Sequence, residues 1–452
     1  MPTSAERLPG PVVPGFTRIL TALSPVRLPF DSLKFIVDNA AKYGPLYGIY
    51  FSDTVTYVVS DPKLAHEILV ERHAEFHKAQ MLRNAIGELI GNGLLTSEGD
   101  FWRRQRKLAQ PAFHFARIAA YGETMVRQTL DHITDWESGE TRDVAQDMLA
   151  ITLGIVNKTL FGIDVRDQAK RIGALTYVIL EAANDRLNSY APVWERLFKT
   201  RRRREEAALG ELFAIVDGII TEHGKRADSG DLLSMLLAAR DEEGNPMSAQ
   251  QLRDEVMTLF VAGHETTANA LNWALYLLSQ NPEAEAKLMN EIAALGGRPP
   301  AMADLARLPY SEMVIKEAIR LYPPAAGATR EPLHDIELGG YHIPKGGNIA
   351  ISTYTMHRNA AFFPDPLRFD PERFSPAREA DIPKHAYLPF GAGPRVCIGN
   401  TFAMMEARLI LITILQRFRL ALAPKQTVQA EQLFTIRPKG GLKMIVRPRD
   451  GA

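Results

Sequence analysis

The chain has 452 residues, of which 46% are hydrophobic and 23% charged, a composition ordinary for a globular protein with a large core. Its formal net charge of +0 gives no support to a nucleic-acid partner. A single cysteine excludes an intrachain disulfide, and every apolar run is shorter than the ~18 residues that a membrane-spanning helix needs.

No boundary between domains is visible in the sequence. Because no linker, repeat or long charge block separates two halves, we expect one domain over residues 1–452, with an N-terminal extension over about residues 1–30. The segment from Met1 to Phe16 is rich in proline and has no apolar run, so we expect neither a signal peptide nor a membrane anchor there.

The first predicted elements are a hairpin and a short helix. Apolar residues alternate from Leu46 to Ser60 around Ser52-Asp53, which predicts two strands of a small sheet. Asp61-Pro62 then predicts the start of a helix. Further on, glycines at 91, 93 and 99 mark a loop, and we expect residues 76–99 to form a mobile wall over a pocket.

Trp102 and Arg106 are four residues apart and therefore share one face of a predicted helix. An indole N–H and a guanidinium that project together can bind a carboxylate. The same spacing is also typical of a half-buried tryptophan beside a solvated arginine, and these two residues alone do not decide between the interpretations.

A long helix is predicted from Ser248 to about Gln280, with Gln251 at the reciprocal position of a capping box. At 1.5 Å per residue it would be roughly 48 Å long. Within it, the small and polar stretch 262–267 interrupts an apolar face, and its glycine and threonines predict a local distortion. That distortion is either a groove that admits a diatomic molecule and water or a kink where neighbouring elements pack closely.

Glu317 and Arg320 share a face of a later helix that ends before Pro323-Pro324. Most pairs at this spacing are weak surface ion pairs. The apolar neighbours Val314 and Leu321 indicate partial burial instead, where a further charged partner would be needed.

The only cysteine lies in a stretch rich in glycine, from Phe390 to Gly399, directly before another helical pattern. A helix N-terminus favours the thiolate form of a cysteine, and a thiolate binds iron. Arg395 nearby is positioned to neutralise an anionic group. A lone cysteine is more often a small buried hydrophobic residue, but the glycine and arginine spacing favours a ligand for haem.

The chain resembles the cytochrome P450 family, in particular its soluble prokaryotic members, in two motifs. The signature Phe-x-x-Gly-x-Arg-x-Cys-x-Gly is matched without gaps by Phe390, Gly393, Arg395, Cys397 and Gly399. The pattern Ala/Gly-Gly-x-Asp/Glu-Thr is matched by Ala262, Gly263, Glu265 and Thr266. The resemblance implies a mainly α fold with small β-sheets (α+β), with haem b between the long helix and the helix after the cysteine loop.

The resemblance also implies roles for individual residues. Cys397 would ligate the iron, and Glu265 and Thr266 would deliver protons to oxygen. The residues that would hold the haem propionates are Trp102, Arg106, Arg330 and Arg395. Those that would form a scaffolding triad are Glu317, Arg320 and Arg373. Those that would line the substrate pocket are Leu94, Ala262, Gly263, Ala328, Phe434 and Thr435.

The implied activity is a monooxygenase that inserts one atom of O2 into a C–H bond of an apolar small molecule. Fatty acids are the first choice of substrate and terpenoids the second. Electrons would come from a ferredoxin or flavodoxin and its reductase, because no flavin or iron–sulfur motif accompanies the domain. The basic residues Arg103, Arg104 and Lys107 are candidates for docking that carrier, and we expect a cytoplasmic monomer.

Two alternatives stay open. A peroxide-driven hydroxylase or isomerase would need no electron partner, although the intact Glu265-Thr266 pair argues against it. A haem-binding sensor would show no turnover and no response of the haem to apolar compounds.

Overall fold

A computed structural model describes residues 7–13, 31–51, 54–162, 169–188, 199–225 and 231–449. Most of the predicted N-terminal extension therefore lies outside the described residues. Within them the chain is mainly helical with small sheets, which confirms the predicted α+β class.

The helices, numbered in chain order, are α1 (Ser32–Tyr43), α2 (Pro62–His66), α3 (Gln80–Ile90), α4 (Gly99–Ala109), α5 (Phe115–Ala120), α6 (Gly122–Ile133), α7 (Val144–Leu160), α8 (Ala169–Asn188), α9 (Lys199–His223), α10 (Leu232–Ala238), α11 (Ala249–Gln280), α12 (Pro282–Ala293), α13 (Pro309–Leu321), α14 (Thr353–Met356), α15 (Pro376–Glu379) and α16 (Asn400–Arg417). A π-helical turn spans Glu67–Glu71, and 3₁₀ turns span His73–Glu75, Gln110–Phe113, Met302–Arg307, Pro371–Phe374 and Gly393–Arg395.

The strands are β1 (Leu46–Tyr50), β2 (Val55–Val59), β3 (Phe76–His77), β4 (Thr141–Asp143), β5 (Gly327–Pro332), β6 (Ile336–Leu338), β7 (Tyr341–Ile343), β8 (Asn348–Ser352), β9 (Phe418–Leu422), β10 (Ala430–Gln432), β11 (Ile436–Pro438) and β12 (Lys443–Pro448). The largest sheet has the order β1-β2-β8-β5-β3, and smaller ones have the orders β4-β12-β9, β10-β11 and β6-β7. The antiparallel pair β1-β2, with Leu46 opposite Val59, confirms the predicted hairpin.

Residues 76–99 are not a continuous loop, because the strand β3 opens the stretch and the 11 residues of α3 form its middle. Its apolar face buries Ile86 and Leu89, a pattern that the glycine-based prediction overlooked. The loop that remains, between α3 and α4, carries Leu94.

The helix α11 runs through the core and packs against α7, α13 and α16. Ser248 caps it, its hydroxyl accepting a hydrogen bond from the Gln251 amide at 3.1 Å. The reciprocal bond of the predicted capping box is not formed, because the Gln251 side chain donates to Glu255 at 2.8 Å instead. The 32 residues of α11 give it a length of roughly 48 Å, as predicted.

The predicted contact between Glu317, Arg320 and Arg373 is present and buried. Arg320 donates to both carboxylate oxygens of Glu317, at 2.6 and 2.9 Å, and Arg373 Nε lies 3.3 Å from Oε1. Glu317 and Arg320 are 0% exposed and Arg373 is 5% exposed. Arg320 also donates to backbone carbonyls at His357 and Pro366, so the charges are well hydrogen-bonded and join α13 to the segment before α15.

No helix in the described part of the chain combines the length and the apolar character needed to cross a bilayer.

Glu317→Ala is expected to lower the free energy of unfolding by about 3–5 kcal/mol, because it leaves two guanidinium groups buried without their carboxylate. Urea unfolding followed by circular dichroism measures this loss. The control is Asp38→Asn, which removes the exposed Lys34–Asp38 pair and should change stability little. Equal effects of the two substitutions would contradict a dominant role for the buried cluster.

Candidate active site

The middle of α11 has a solvent-accessible patch although the helix lies in the core. The accessible residues are Ala262, Gly263, Glu265 and Thr266. The adjacent Val261 and Thr267 are buried. A core helix has this pattern where one of its faces borders an interior space, as the predicted groove requires. Close packing is also present, because a Cβ at Gly263 would lie 3.3 Å from Val156 of α7.

The helix itself is not broken at the patch. Thr266 donates its hydroxyl proton to the Ala262 carbonyl at 2.9 Å, the back-bonding expected of a threonine in a helix. All residues from Ala249 to Gln280 nevertheless remain α-helical, so the predicted distortion is no more than this local bond.

The Glu265 side chain reaches the turn between β10 and β11. The Thr435 hydroxyl donates to Glu265 Oε1 at 2.7 Å. Burial raises the pKa of the Glu265 carboxyl, and the Thr435 bond and the charge of Arg437 oppose that rise only in part. Desolvation thus shifts this carboxyl toward its neutral form.

The cysteine loop is as tight as its glycines predicted. Gly391 and Gly393 have φ values of +72° and +68°, which side-chain-bearing residues rarely adopt. A Cβ at Gly393 would lie 1.9 Å from the Leu69 carbonyl oxygen, so the loop rests directly on the π-helical turn. The Cys397 amide closes the loop by donating to the Phe390 carbonyl at 3.0 Å.

The Cys397 side chain retains accessible surface although protein surrounds it, as expected of a group that faces an enclosed space. Burial raises the pKa of its thiol, while the Gly399 amide and the Arg106 charge lower it less strongly. The predicted lowering of this pKa is therefore wrong for the protein alone, because desolvation outweighs the helix N-terminus. A bound metal cation would reverse that balance and deprotonate the thiol.

Three predicted propionate-binding arginines lie in one cluster. Arg106 donates to the Val396 carbonyl at 2.9 Å, next to Cys397. Arg395 forms an ion pair with Glu98, and burial lowers the pKa of Arg395 to about 10. Arg330 is 8% exposed, and burial lowers its pKa also.

Trp102 contacts Arg395 and not Arg106. The Arg395 guanidinium carbon lies 3.7 Å from the centroid of the indole ring, which is close enough for a cation–π interaction. Trp102 and Arg106 both reach the cysteine loop from α4, as the prediction of a shared helix face requires. They contact different parts of that loop, since Trp102 meets Arg395 and Arg106 meets the Val396 carbonyl.

Lys78 is a member of the cluster that the sequence did not indicate. Its ammonium group donates to the Leu95 carbonyl at 2.6 Å. Burial lowers the pKa of Lys78 to about 7, helped by the charges of Arg395, Arg330 and Arg106 and opposed by Glu98. No motif marks Lys78 or Glu98, because their proximity depends on how the segment after β3 folds back against the cysteine loop.

Among the described residues, Glu98 is the carboxylate that opposes the positive charge of this cationic cluster (Lys78, Arg106, Arg330 and Arg395). Four cationic groups facing one carboxylate leave an excess of positive charge in a desolvated place. Such a cluster is suited to bind anionic groups, and two carboxylates would nearly balance it.

The predicted pocket residues differ in accessibility. Ala328 in β5 and Phe434 in the β10–β11 turn are partly exposed, whereas Leu94 is 8% and Thr435 3% exposed. The Leu94 amide donates to Glu255 of α11 at 3.0 Å, which fixes the loop before α4 against the long helix. Thr435 contacts Glu265 and does not present its surface to the pocket.

The basic residues proposed to dock an electron carrier are paired within the chain. Arg103 contacts Asp100, Arg104 lies 3.2 Å from Asp241, and Lys107 lies 2.8 Å from Glu242. All three side chains nevertheless stay exposed, at 65%, 47% and 74% for Arg103, Arg104 and Lys107, so their role in docking a carrier stays a prediction.

A model of the cytochrome P450 family matches residues 14–445. Cyclooctatin synthase of Streptomyces melanosporofaciens is 38% identical over 92% of this chain and 91% of its own. Pentalenene oxygenase of Streptomyces avermitilis is 33% identical over 88% of this chain and 89% of its own. The crystal structure of the cytochrome P450DA heme domain superimposes with a TM-score of 0.84 at 28% identity, covering 92% of this chain and 93% of that one.

The chain belongs to the cytochrome P450 family. It is a monooxygenase with haem b as its cofactor. The residues present fit that group: the accessible Cys397 thiol suits an axial ligand, and the excess positive charge around it suits two propionates.

Lys78→Met is expected to speed haem loss, most strongly at and below about pH 7. A propionate near Lys78 would raise its pKa above the value of about 7 that burial sets. Its contribution to haem retention is then complete below pH 7 and is lost as the pH rises through the higher, haem-bound pKa. The rate of haem transfer to apomyoglobin is measured at pH values below and above 7. The ratio of the variant's rate of haem loss to that of wild type is then compared across these pH values.

The control for that experiment is Lys63→Met, which changes an exposed lysine on α2. A ratio for Lys78→Met that equals the control at every pH would exclude a contact between Lys78 and the cofactor.

Proposed function

We propose that this cytochrome P450 hydroxylates a terpenoid, using electrons from a ferredoxin or flavodoxin and its reductase. The observation that carries the substrate class is the nature of its relatives. Besides cyclooctatin synthase and pentalenene oxygenase, cyclooctat-9-en-7-ol 5-monooxygenase of S. melanosporofaciens is 37% identical over 92% of this chain. These names refer to terpenoids, so the order of substrates expected from the sequence, with fatty acids first, is reversed.

The chemistry of the pocket agrees with that choice. None of the predicted pocket residues that keep accessible surface carries a charge: Ala262, Gly263, Ala328 and Phe434. A fatty-acid carboxylate would need a cation or several donors to compensate for its desolvation. A terpenoid skeleton is apolar and needs only area and shape, which small and apolar side chains provide.

Cys397 is the residue proposed to bind the haem iron. The proposed partners of the propionates are Trp102, Arg106, Arg330, Arg395 and Lys78. Bound haem supplies the activation of O2, for which the thiolate ligand favours cleavage of the O–O bond. Glu317, Arg320 and Arg373 are proposed to act only as a scaffold, since all three are buried in ion pairs.

Proton delivery is proposed for Glu265 and Thr266. Thr266 has an accessible hydroxyl on the patch of α11, where it can hold a water or oxygen species by a hydrogen bond. Burial raises the pKa of Glu265, which shifts its carboxyl toward the protonated form that a proton donor needs. This pair favours an enzyme driven by O2 and reductant over a peroxide-driven enzyme or a sensor.

The electron source follows from composition. One cysteine cannot hold an iron–sulfur cluster by four thiolates, so we propose separate carrier proteins. The monomeric state and the cytoplasmic location stay predictions.

Terpenoid hydrocarbons and alcohols are expected to shift the haem spin state at lower concentrations than fatty acids of matched carbon number. The protein is titrated with both series, and compounds that bind are then tested for hydroxylation with a surrogate ferredoxin and reductase. Cys397→Ala serves as the blank because it removes the proposed ligand. Tighter binding and turnover of the fatty acids would overturn the proposed substrate class.

Thr266→Ala is expected to keep consuming reductant while product falls several-fold and free peroxide appears, because the hydroxyl that holds the oxygen species in place is gone. Product and peroxide are measured per equivalent of NADPH. Thr258→Ala, which removes a buried hydroxyl from the same helix, should remain coupled. Full coupling in Thr266→Ala would exclude the assigned role.

A further inference from the structure

Glu265 is the last acceptor in a directional chain of hydrogen bonds. Asn272 Nδ2 lies 3.4 Å from Asn269 Oδ1, Asn269 Nδ2 donates to Thr435 Oγ1 at 3.0 Å, and Thr435 donates to Glu265 Oε1 at 2.7 Å. Asn269, Asn272 and Thr435 are at most 4% exposed, so water does not compete freely for these bonds.

The direction of the chain determines where the proton of Glu265 resides. A threonine hydroxyl has one proton, and here its oxygen accepts from the Asn269 amide, so the proton points to Glu265 Oε1. Oε1 is thereby an acceptor. In a neutral carboxyl the carbonyl oxygen is a better acceptor than the hydroxyl oxygen, so this bond favours the acidic proton on Oε2, which is buried and has no hydrogen-bond partner among the described residues.

The turn that holds Thr435 is itself fixed against α11. Trp273 Nε1 donates to the Ile436 carbonyl at 3.2 Å, and the Ile436 amide donates to the Pro324 carbonyl at 2.9 Å. The Trp273 ring stacks on Tyr322 at 3.8 Å. Phe434, next to Thr435 in the chain, keeps accessible surface and is one of the proposed pocket residues.

The positive charge of Arg437 in β11 lowers the pKa of Glu265, but Arg437 is itself paired with Glu431 at 3.1 Å. Because Arg437 already has this partner, Thr435 is the group that directly contacts the carboxyl oxygen.

We propose that Thr435, oriented by Asn269, is a positioning residue for Glu265: it fixes the tautomer with the transferable proton on Oε2 and links the substrate-contacting turn at Phe434 to proton delivery. This inference rests on the proposed role of Glu265 in the monooxygenase reaction. Contact of a substrate with Phe434 would then move the adjacent Thr435. That movement would change how much of the consumed reductant ends in product and how much in peroxide.

The test is infrared spectroscopy of the ferric holoprotein without substrate. Wild type should show a protonated carboxylic-acid carbonyl band that is lost in Glu265→Gln. In Thr435→Val this band should shift to higher frequency, because Oε1 loses its hydrogen bond, and in Thr435→Ser it should stay in place. Thr435→Ala, with the same expected shift, replaces the valine variant if that protein does not retain haem.

The matched control is Thr152→Val, which removes another buried threonine hydroxyl, on α7, that bonds only to helix carbonyls. Its band should be unchanged. In turnover, Thr435→Val should release more peroxide per reductant than Thr435→Ser or the control.

The proposal is overturned if Glu265→Gln removes no carbonyl band, since Glu265 is then ionised, or if the band is the same in Thr435→Val and in wild type. Because the infrared measurement needs no substrate, it remains decisive if the terpenoid assignment fails. If the band does not shift in Thr435→Val, only the role of Thr435 is refuted, and the assignment of the protein as a monooxygenase is unaffected.

Discussion

The desolvation of positive charge around the cysteine loop is the constraint on which the site depends. Lys78 and three arginines are held there largely out of water, and the charge of Glu98 opposes theirs. Burial is the largest cause that lowers the pKa of each of these cations, and neighbouring cations lower those of Lys78 and Arg395 further, which means that the protein fold holds them in an unfavourable setting. The neighbouring structure must therefore fix them by backbone contacts, such as those of Arg106 with Val396 and of Lys78 with Leu95.

The long helix α11 provides that fixed framework from the opposite side. Its first turns hold the loop before α4, since Asp254 accepts from the Asn92 amide at 2.8 Å and Glu255 from the Leu94 amide. Its middle presents small and polar residues to the interior space, and its later turns bind the β10–β11 turn through Asn269 and Trp273. One rigid element thus determines the relative positions of the loop, the proton-bearing carboxyl and the pocket turn.

Much of this architecture could be predicted from the sequence because it is encoded locally. The hairpin β1-β2, the cap at Ser248 and the tight glycine loop each depend on residues a few positions apart. The pairing of Glu317 with Arg320 is likewise a matter of helix spacing. Arg373 was assigned only through resemblance to the family.

What could not be predicted depends on contacts between distant segments. The Thr435–Glu265 bond joins residues 170 positions apart, and the Arg395–Glu98 pair joins residues 297 apart. The direction of the Cys397 pKa shift was wrong for a related reason: the helix N-terminus is visible in the sequence, but the degree of desolvation is set by the packing around it. The ion pairs of Arg104 and Lys107 could not be foreseen either, because their partners Asp241 and Glu242 lie far along the chain.

The raised pKa of Cys397 has a consequence for the life of the protein before it acquires its cofactor. The thiol form is a poor nucleophile and reacts slowly with peroxides and disulfides. Desolvation thus protects the sulfur that we propose as the iron ligand from oxidation in the folded protein before haem binds. Only iron, by displacing the proton, converts that inert group into a ligand, so chemical protection and metal binding are two outcomes of the same buried position.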